Sequence, residues 1–123
     1  MAAAPKPTIV QYVLLRKDLQ KKYKYSLGAH IAQAAHACIA VNERFKTQSE
    51  TVEYLKNLQQ MHTVVLQVED EKALLDAEEL LVTNNLDFHK WEEQPEMLQT
   101  SIALRPYNKS QVESYMKSFK LFR

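Results

Sequence analysis

The chain has 123 residues and a mass of 14.3 kDa; 46% of it is hydrophobic, 25% charged, and its net charge is +1. One core of ordinary size accounts for that length, and the composition excludes disordered, collagenous and coiled-coil classes. No apolar run approaches the ~18–20 residues of a bilayer span, and Met1 to Pro7 carries no apolar signal core, so a soluble, non-secreted protein is expected. The single Cys38 can neither close an internal disulfide nor build a cysteine metal site, which points to a reducing compartment, the cytosol.

The small net charge hides an uneven pattern. Lys6, Arg16, Lys17, Lys21, Lys22 and Lys24 face only Asp18 in the first segment, whereas Glu69, Asp70, Glu71, Asp76, Glu78 and Glu79 crowd the middle. Arg105, Lys109, Lys117, Lys120 and Arg123 face only Glu113 in the last. If the two ends of the chain meet, they form a cationic surface that attracts phosphates; the alternative is ordinary solvated charge.

Residues 1–7 read as a flexible tail and 8–123 as one domain. Ile9 to Arg16 is β-branched, aromatic and nearly continuously apolar, a strand buried on both faces. Asp18 to Lys24 reads as a basic loop, and Ser26 caps a helix running to about Phe45 with Ile31, Ala34, Cys38, Val41 and Phe45 on its core stripe. Thr47 and Glu50 match a capping box before a second helix ending near Met61, with Val52, Leu55 and Leu58 inward. A strand at His62–Val68 follows. Asp70 then caps a helix that buries Ala73, Leu74, Ala77, Leu80 and Leu81 and stops at Asn84-Asn85. Strands at Phe88–Glu92 and Ser101–Arg105 precede a last helix, capped by Asn108 or Ser110, that docks through Val112, Tyr115, Met116 and Phe119. The order β-α-α-β-α-β-β-α predicts a single α/β layered domain, its mainly parallel or mixed sheet covered by helices on both faces. With Gly28 the only glycine, neither a P-loop nor a dinucleotide fingerprint is available.

The informative stretch is Gly28 to Ala37. Ala29, Gln33, His36 and Ala40 share one stripe, with no charged side chain between Lys24 and Glu43. Such a face suits close approach of a ligand at a helix N-terminus, or else a satisfied polar pair inside a packing interface. His36, Cys38, His62 and His89 lack metal-ligand spacing, so no metal is expected, and Cys38 on the apolar stripe favours the inert thiol. Trp91-Glu92-Glu93-Gln94-Pro95 offers two carboxylates for a base or a ribose hydroxyl, or is simply a charged strand end.

Arg16-x-Asp18-Leu19, Gln33-x-x-His36-Ala37 and Thr100-x-x-Ala103-Leu104-x-Pro106 occur in that order on the predicted elements. Together they resemble the type 2 peptidyl-tRNA hydrolase family over nearly all of the chain beyond residue 8. Glu93-Gln94-Pro95-Glu96 and Ala103-Leu104-Arg105-Pro106-Tyr107 are similar to its divergent peptidyl-tRNA hydrolase domain-containing branch. The resemblance implies a four-stranded mixed sheet between helices and hydrolysis of the ester joining a peptide to tRNA, without metal or cofactor.

Two departures accompany it. The family's helix-start lysine falls on Ala29, and its Asp-Ala-Gly-x-Thr loop is replaced by Trp91 to Pro95, while Thr100 matches its second threonine. The expected site is therefore Gln33, His36, Glu92, Glu93 and Thr100, with His36 as base and Glu92 or Glu93 in place of the aspartate. Lys22 or Lys24 returns an ammonium beside Ala29, and Arg105 and Lys109 join that basic loop in holding phosphates. The expected partner is peptidyl-tRNA or tRNA, the residence cytoplasmic or mitochondrial, with no membrane; a homodimer is left open. The alternative is an inactive tRNA-binding or protein-interaction module of the same fold.

Overall fold

A computed structural model describes residues 7–123. The expected tail falls almost wholly outside them, as does Lys6.

Strand β1 (Ile9–Arg16) is buried along nearly its whole length, as its apolar run requires. It pairs in parallel with β2 (Thr63–Val68) and antiparallel with β4 (Leu98–Leu104), which pairs antiparallel with β3 (Phe88–Glu93). The sheet order is β2-β1-β4-β3, with a two-residue β5 (Tyr107–Asn108) also joined to β1. This is the expected mixed sheet, with β5 added by the turn at Pro106.

Alternation along β1 divides the core. Val10, Tyr12 and Leu14 join Leu74, Ala77 and Leu81 of α4 (Glu71–Thr83) and Val112 and Met116 of α5 (Lys109–Met116) in the larger cluster. Val13 faces the other way, toward Ala37 and Val41 of α2 (Leu27–Arg44) and Ala103. Helices therefore cover both faces. The Asp70 cap is present, its carboxylate accepting from Ala73 N–H at 2.9 Å. Asn108 stands at the start of α5 without a side-chain cap.

Five local expectations are corrected. Leu19–Tyr23 forms a short helix, α1, where a loop was read, because Leu19 is completely buried and anchors it. In α2, Ala34, Cys38, Val41 and Phe45 do face the smaller core, but Ile31 is 59% exposed while His30, Gln33 and Ala37 are buried. The helix is turned so that its polar side chains reach acceptors and donors in the sheet, which outweighs the burial of Ile31. The Thr47–Glu50 capping box does not form. Gln48 precedes α3 (Ser49–Lys56), and Glu50 pairs with Arg105 instead. Thr51 and Tyr54 face inward, leaving Val52, Leu55 and Leu58 outward, with Leu58 on a separate 3-10 turn (Leu58–Gln60). Finally, β4 begins at Leu98, three residues earlier than read.

The chain ends beside β2. Gln67 N–H donates to Lys120 O, and Phe122 N–H to Val65 O, both at 2.9 Å. That edge pairing, made by a four-residue stretch, has no distinctive sequence pattern.

Candidate active site

The C-terminal ends of β1 and β3, the start of β4 and the first turns of α2 converge at one end of the sheet. A bulge shapes this end: Trp91 pairs with Ser101 and Glu92 with Gln99, so Thr100 is an extra residue on β4. The irregularity brings two consecutive hydroxyls to α2. Thr100 Oγ1 donates to Gln33 Oε1 and Ser101 Oγ to Gln33 O, both at 2.8 Å.

Gln33 is the hub. Its amide Nε2 donates to Ala29 O at 3.0 Å and to Glu93 Oε2 at 2.9 Å. The other carboxylate oxygen, Glu93 Oε1, accepts from Trp91 Nε1 at 3.2 Å. The Gln33 amide, then the Trp91 indole and the nearby His36, hold the Glu93 carboxyl below the usual carboxylate range against partial burial. His36 lies over Trp91, ring centroids 4.9 Å apart and tilted by 30°.

Gln33, Glu93 and Thr100 are thus brought together, with His36 beside them through Trp91. Glu92 alternates to the opposite side of β3 and accepts from Gln94 instead. Gln33 and Thr100 are wholly buried, whereas Glu93, His36 and Trp91 are half-buried and reach the surface. Trp91 and Ser101 were not singled out as site residues. The bulge that recruits Ser101 depends on pairing across two strands, but Trp91 beside Glu93 at i, i+2 was a readable signal.

The start of α2 carries Ser26 as cap, its Oγ accepting from Ala29 N–H at 3.1 Å. His30 Nε2 pairs with Arg16 O at 2.7 Å, and its ring meets Phe122 edge-on at 5.2 Å. Arg16 is fully buried, its guanidinium binding Asp18 through two donors at 2.9 and 3.0 Å and Gln99 O at 3.0 Å. Tyr25 O–H donates to Glu96 Oε2 at 2.7 Å, tying the α1–α2 turn to the β3–β4 turn. Burial, then Glu96, push its phenol upward.

Among the described residues, no hydrogen bond or ion pair joins Lys22 or Lys24 to the Gln33 hub. Lys22 Nζ instead lies 5.5 Å from the Tyr23 ring centroid. Arg105 is 7% exposed at the far end of β4, donating to Asp87 at 2.8 Å and Glu50 at 2.9 Å. Its guanidinium stands 3.7 Å from the Tyr107 ring centroid. It is engaged in holding the fold, and Lys109 starts α5 at that same end, away from the hub.

The basic chain ends do meet elsewhere. Lys17, Lys120 and Arg123 line a shallow depression of about 350 Å³ with Gln67 and Leu121. Phe122 connects this edge to His30, one helical turn from Gln33. Another depression, of about 450 Å³, is lined by Pro7, Tyr54, Asn57 and His62 and holds none of the expected site residues. Among the described residues no three metal-binding side chains cluster. Burial lifts the Cys38 thiol to about 11, away from the reactive thiolate. Among the described residues no helix is long and apolar enough to cross a membrane.

Comparison with known proteins decides the family. The model of the peptidyl-tRNA hydrolase PTH2 family matches residues 9–122. The chain belongs to the PTH2 family. Its relatives include two proteins named "Putative peptidyl-tRNA hydrolase PTRHD1". The mouse protein is 44% identical over 116 residues, covering 94% of this chain and 83% of the relative. The human one is 42% identical over 123 residues, covering 99% and 88%.

Proposed function

We propose that this PTH2 protein hydrolyses the ester between a peptide and the 3′-terminal ribose of tRNA, without a metal ion. The observation that carries the reading is the Glu93 carboxylate fixed by Gln33 and Trp91 beside the accessible His36 imidazole. His36 accepts a proton from water as the water oxygen bonds to the ester carbonyl carbon. Glu93 stabilises the imidazolium that forms. The ester C–O bond then breaks, and the ribose oxygen leaves with the proton returned by His36. The N–H groups of Leu27 and Gly28, which have no partner within α2 and are not taken by the Ser26 cap, are the donors for the oxyanion in place of the family's lysine. Gln33 and Thr100 are positioning residues in this scheme.

The RNA side of the reading is supported by Lys17, Lys120 and Arg123 at the edge joined to His30 through Phe122, together with the exposed Lys22 and Lys24. These replace Arg105 and Lys109 as the phosphate contacts. A second reading, a tRNA-binding module without turnover, is favoured by the lack of any hydrogen bond or ion pair between either lysine and the Gln33 hub. Release of free tRNA from an N-blocked aminoacyl-tRNA, with chelator present, separates the two. Turnover supports the hydrolase; salt-sensitive tRNA binding without turnover supports the module.

A further inference from the structure

Trp91 is the single tryptophan of the chain, and its ring touches both accessible polar groups of the site. Its indole N–H donates to Glu93 Oε1 at 3.2 Å, and its face carries His36 at 4.9 Å. Trp91 also packs against the apolar cluster of Val13, Ala37, Val41 and Ala103, which holds it against the sheet. Gln33 controls only the second oxygen of Glu93, and no hydrogen bond ties His36 to Gln33. From this geometry we infer that Trp91 is the positioning residue that clamps the Glu93 carboxylate and the His36 imidazole into one fixed pair.

Packing alone would be served by any large apolar side chain. The clamp needs two features that only an indole combines here, a ring face broad enough for the imidazole and an N–H at the edge aimed at the carboxylate. The charged and titratable groups facing Trp91 are few. His36 and Cys38 come from α2, and Glu93 and His89 from β3, with His89 centred 6.5 Å away and kept toward its neutral form by burial and then by Arg44. The β4 residues opposite, Thr100 and Ser101, carry no charge.

The inference rests on the hydrolase reading for its kinetic consequence but not for its physical one, so two measurements are paired. In the first, Trp91→Phe keeps a ring for His36 and loses the donor to Glu93. Its kcat is expected to fall about tenfold with KM within about twofold, as the carboxylate loses its indole donor. An unchanged kcat, or a loss carried by KM alone, in a variant that circular dichroism shows to be folded would overturn the clamp.

In the second, the intrinsic fluorescence of Trp91 is titrated in the unmodified protein. An imidazolium stacked on indole quenches it more than the neutral imidazole does, so acidification is expected to lower the emission in one step. That step should vanish in His36→Ala and persist in His89→Ala. A flat response, or one that survives His36→Ala, overturns the clamp. A His36-dependent step in a protein that shows no turnover refutes the hydrolase reading while leaving the clamp intact.

Discussion

Thr100 and Gln33, 67 residues apart in sequence, share a fully buried hydrogen bond of 2.8 Å from the threonine hydroxyl to the glutamine carbonyl. That bond sets which way the Gln33 amide faces. With its oxygen occupied by Thr100, its nitrogen is presented to Glu93, and the site carboxylate is held from inside the fold. A threonine and a glutamine that never meet solvent thereby orient a group that does.

Thr100→Val removes the hydroxyl and leaves the Gln33 oxygen buried without its partner, a loss of about 1–3 kcal/mol. Urea denaturation is expected to show that loss, with activity reduced further because Glu93 is freed. Thr100→Ser should recover most of both. Equal stability of the valine variant and the parent would show the bond to be dispensable.

Glu93 predicts an acid-dependent stability. Its carboxyl is held below the usual carboxylate range mainly by Gln33, so the folded state favours the ionised form. The stabilisation is complete above the unfolded carboxylate's pKa of about 4.3 and is lost as the pH falls through the lower folded value. Glu93→Gln should therefore lose less stability than the parent between pH 7 and the acid range, measured as urea midpoints. Glu50, lowered chiefly by Ser49 and Arg105, contributes the same sign and persists in that variant.

Arg105→Ala leaves Asp87 and Glu50 without their cation and removes the guanidinium from Tyr107. Both carboxylates retain some solvent, so a loss of about 2–3 kcal/mol is expected, less than for a fully buried pair. The folded variant should bind tRNA as the parent does. A large affinity loss at unchanged stability would return Arg105 to the phosphate-binding surface.

The fold was largely legible because strand and helix periods are properties of neighbouring residues. β1 matched from Ile9 to Arg16, and the Ser26 and Asp70 caps both formed. What the sequence could not display was partner choice across the sheet. Periodicity placed Ile31 inward, but the acceptors that draw His30 and Gln33 to the sheet lie on β1 and β3, and Glu50 was taken from its capping box by an arginine 55 residues away. The site divides the same way. Gln33, Glu93 and Thr100 were named from motifs and do meet, while the bulge that aims Thr100 and the separation of Arg105 and Lys109 depend on register and strand length.

If the edge formed by Lys17, Lys120 and Arg123 holds RNA phosphates, replacing all three with alanine should weaken tRNA binding and reduce the slope of log affinity against log salt by about 2–3. Affinity titrations at several salt concentrations read this directly. A weaker complex with an unchanged slope would mean that these side chains act on the fold and not on phosphate.

The central claim is that Glu93 and His36 act as one hydrolytic pair, and initial rates of tRNA release from an N-blocked aminoacyl-tRNA test it most directly. Under chelator, with folding checked by circular dichroism, the parent is expected to turn over while His36→Ala and Glu93→Ala each lose about 100-fold or more in kcat and the double variant loses little beyond either. Parent-level rates in either single variant would contradict the account.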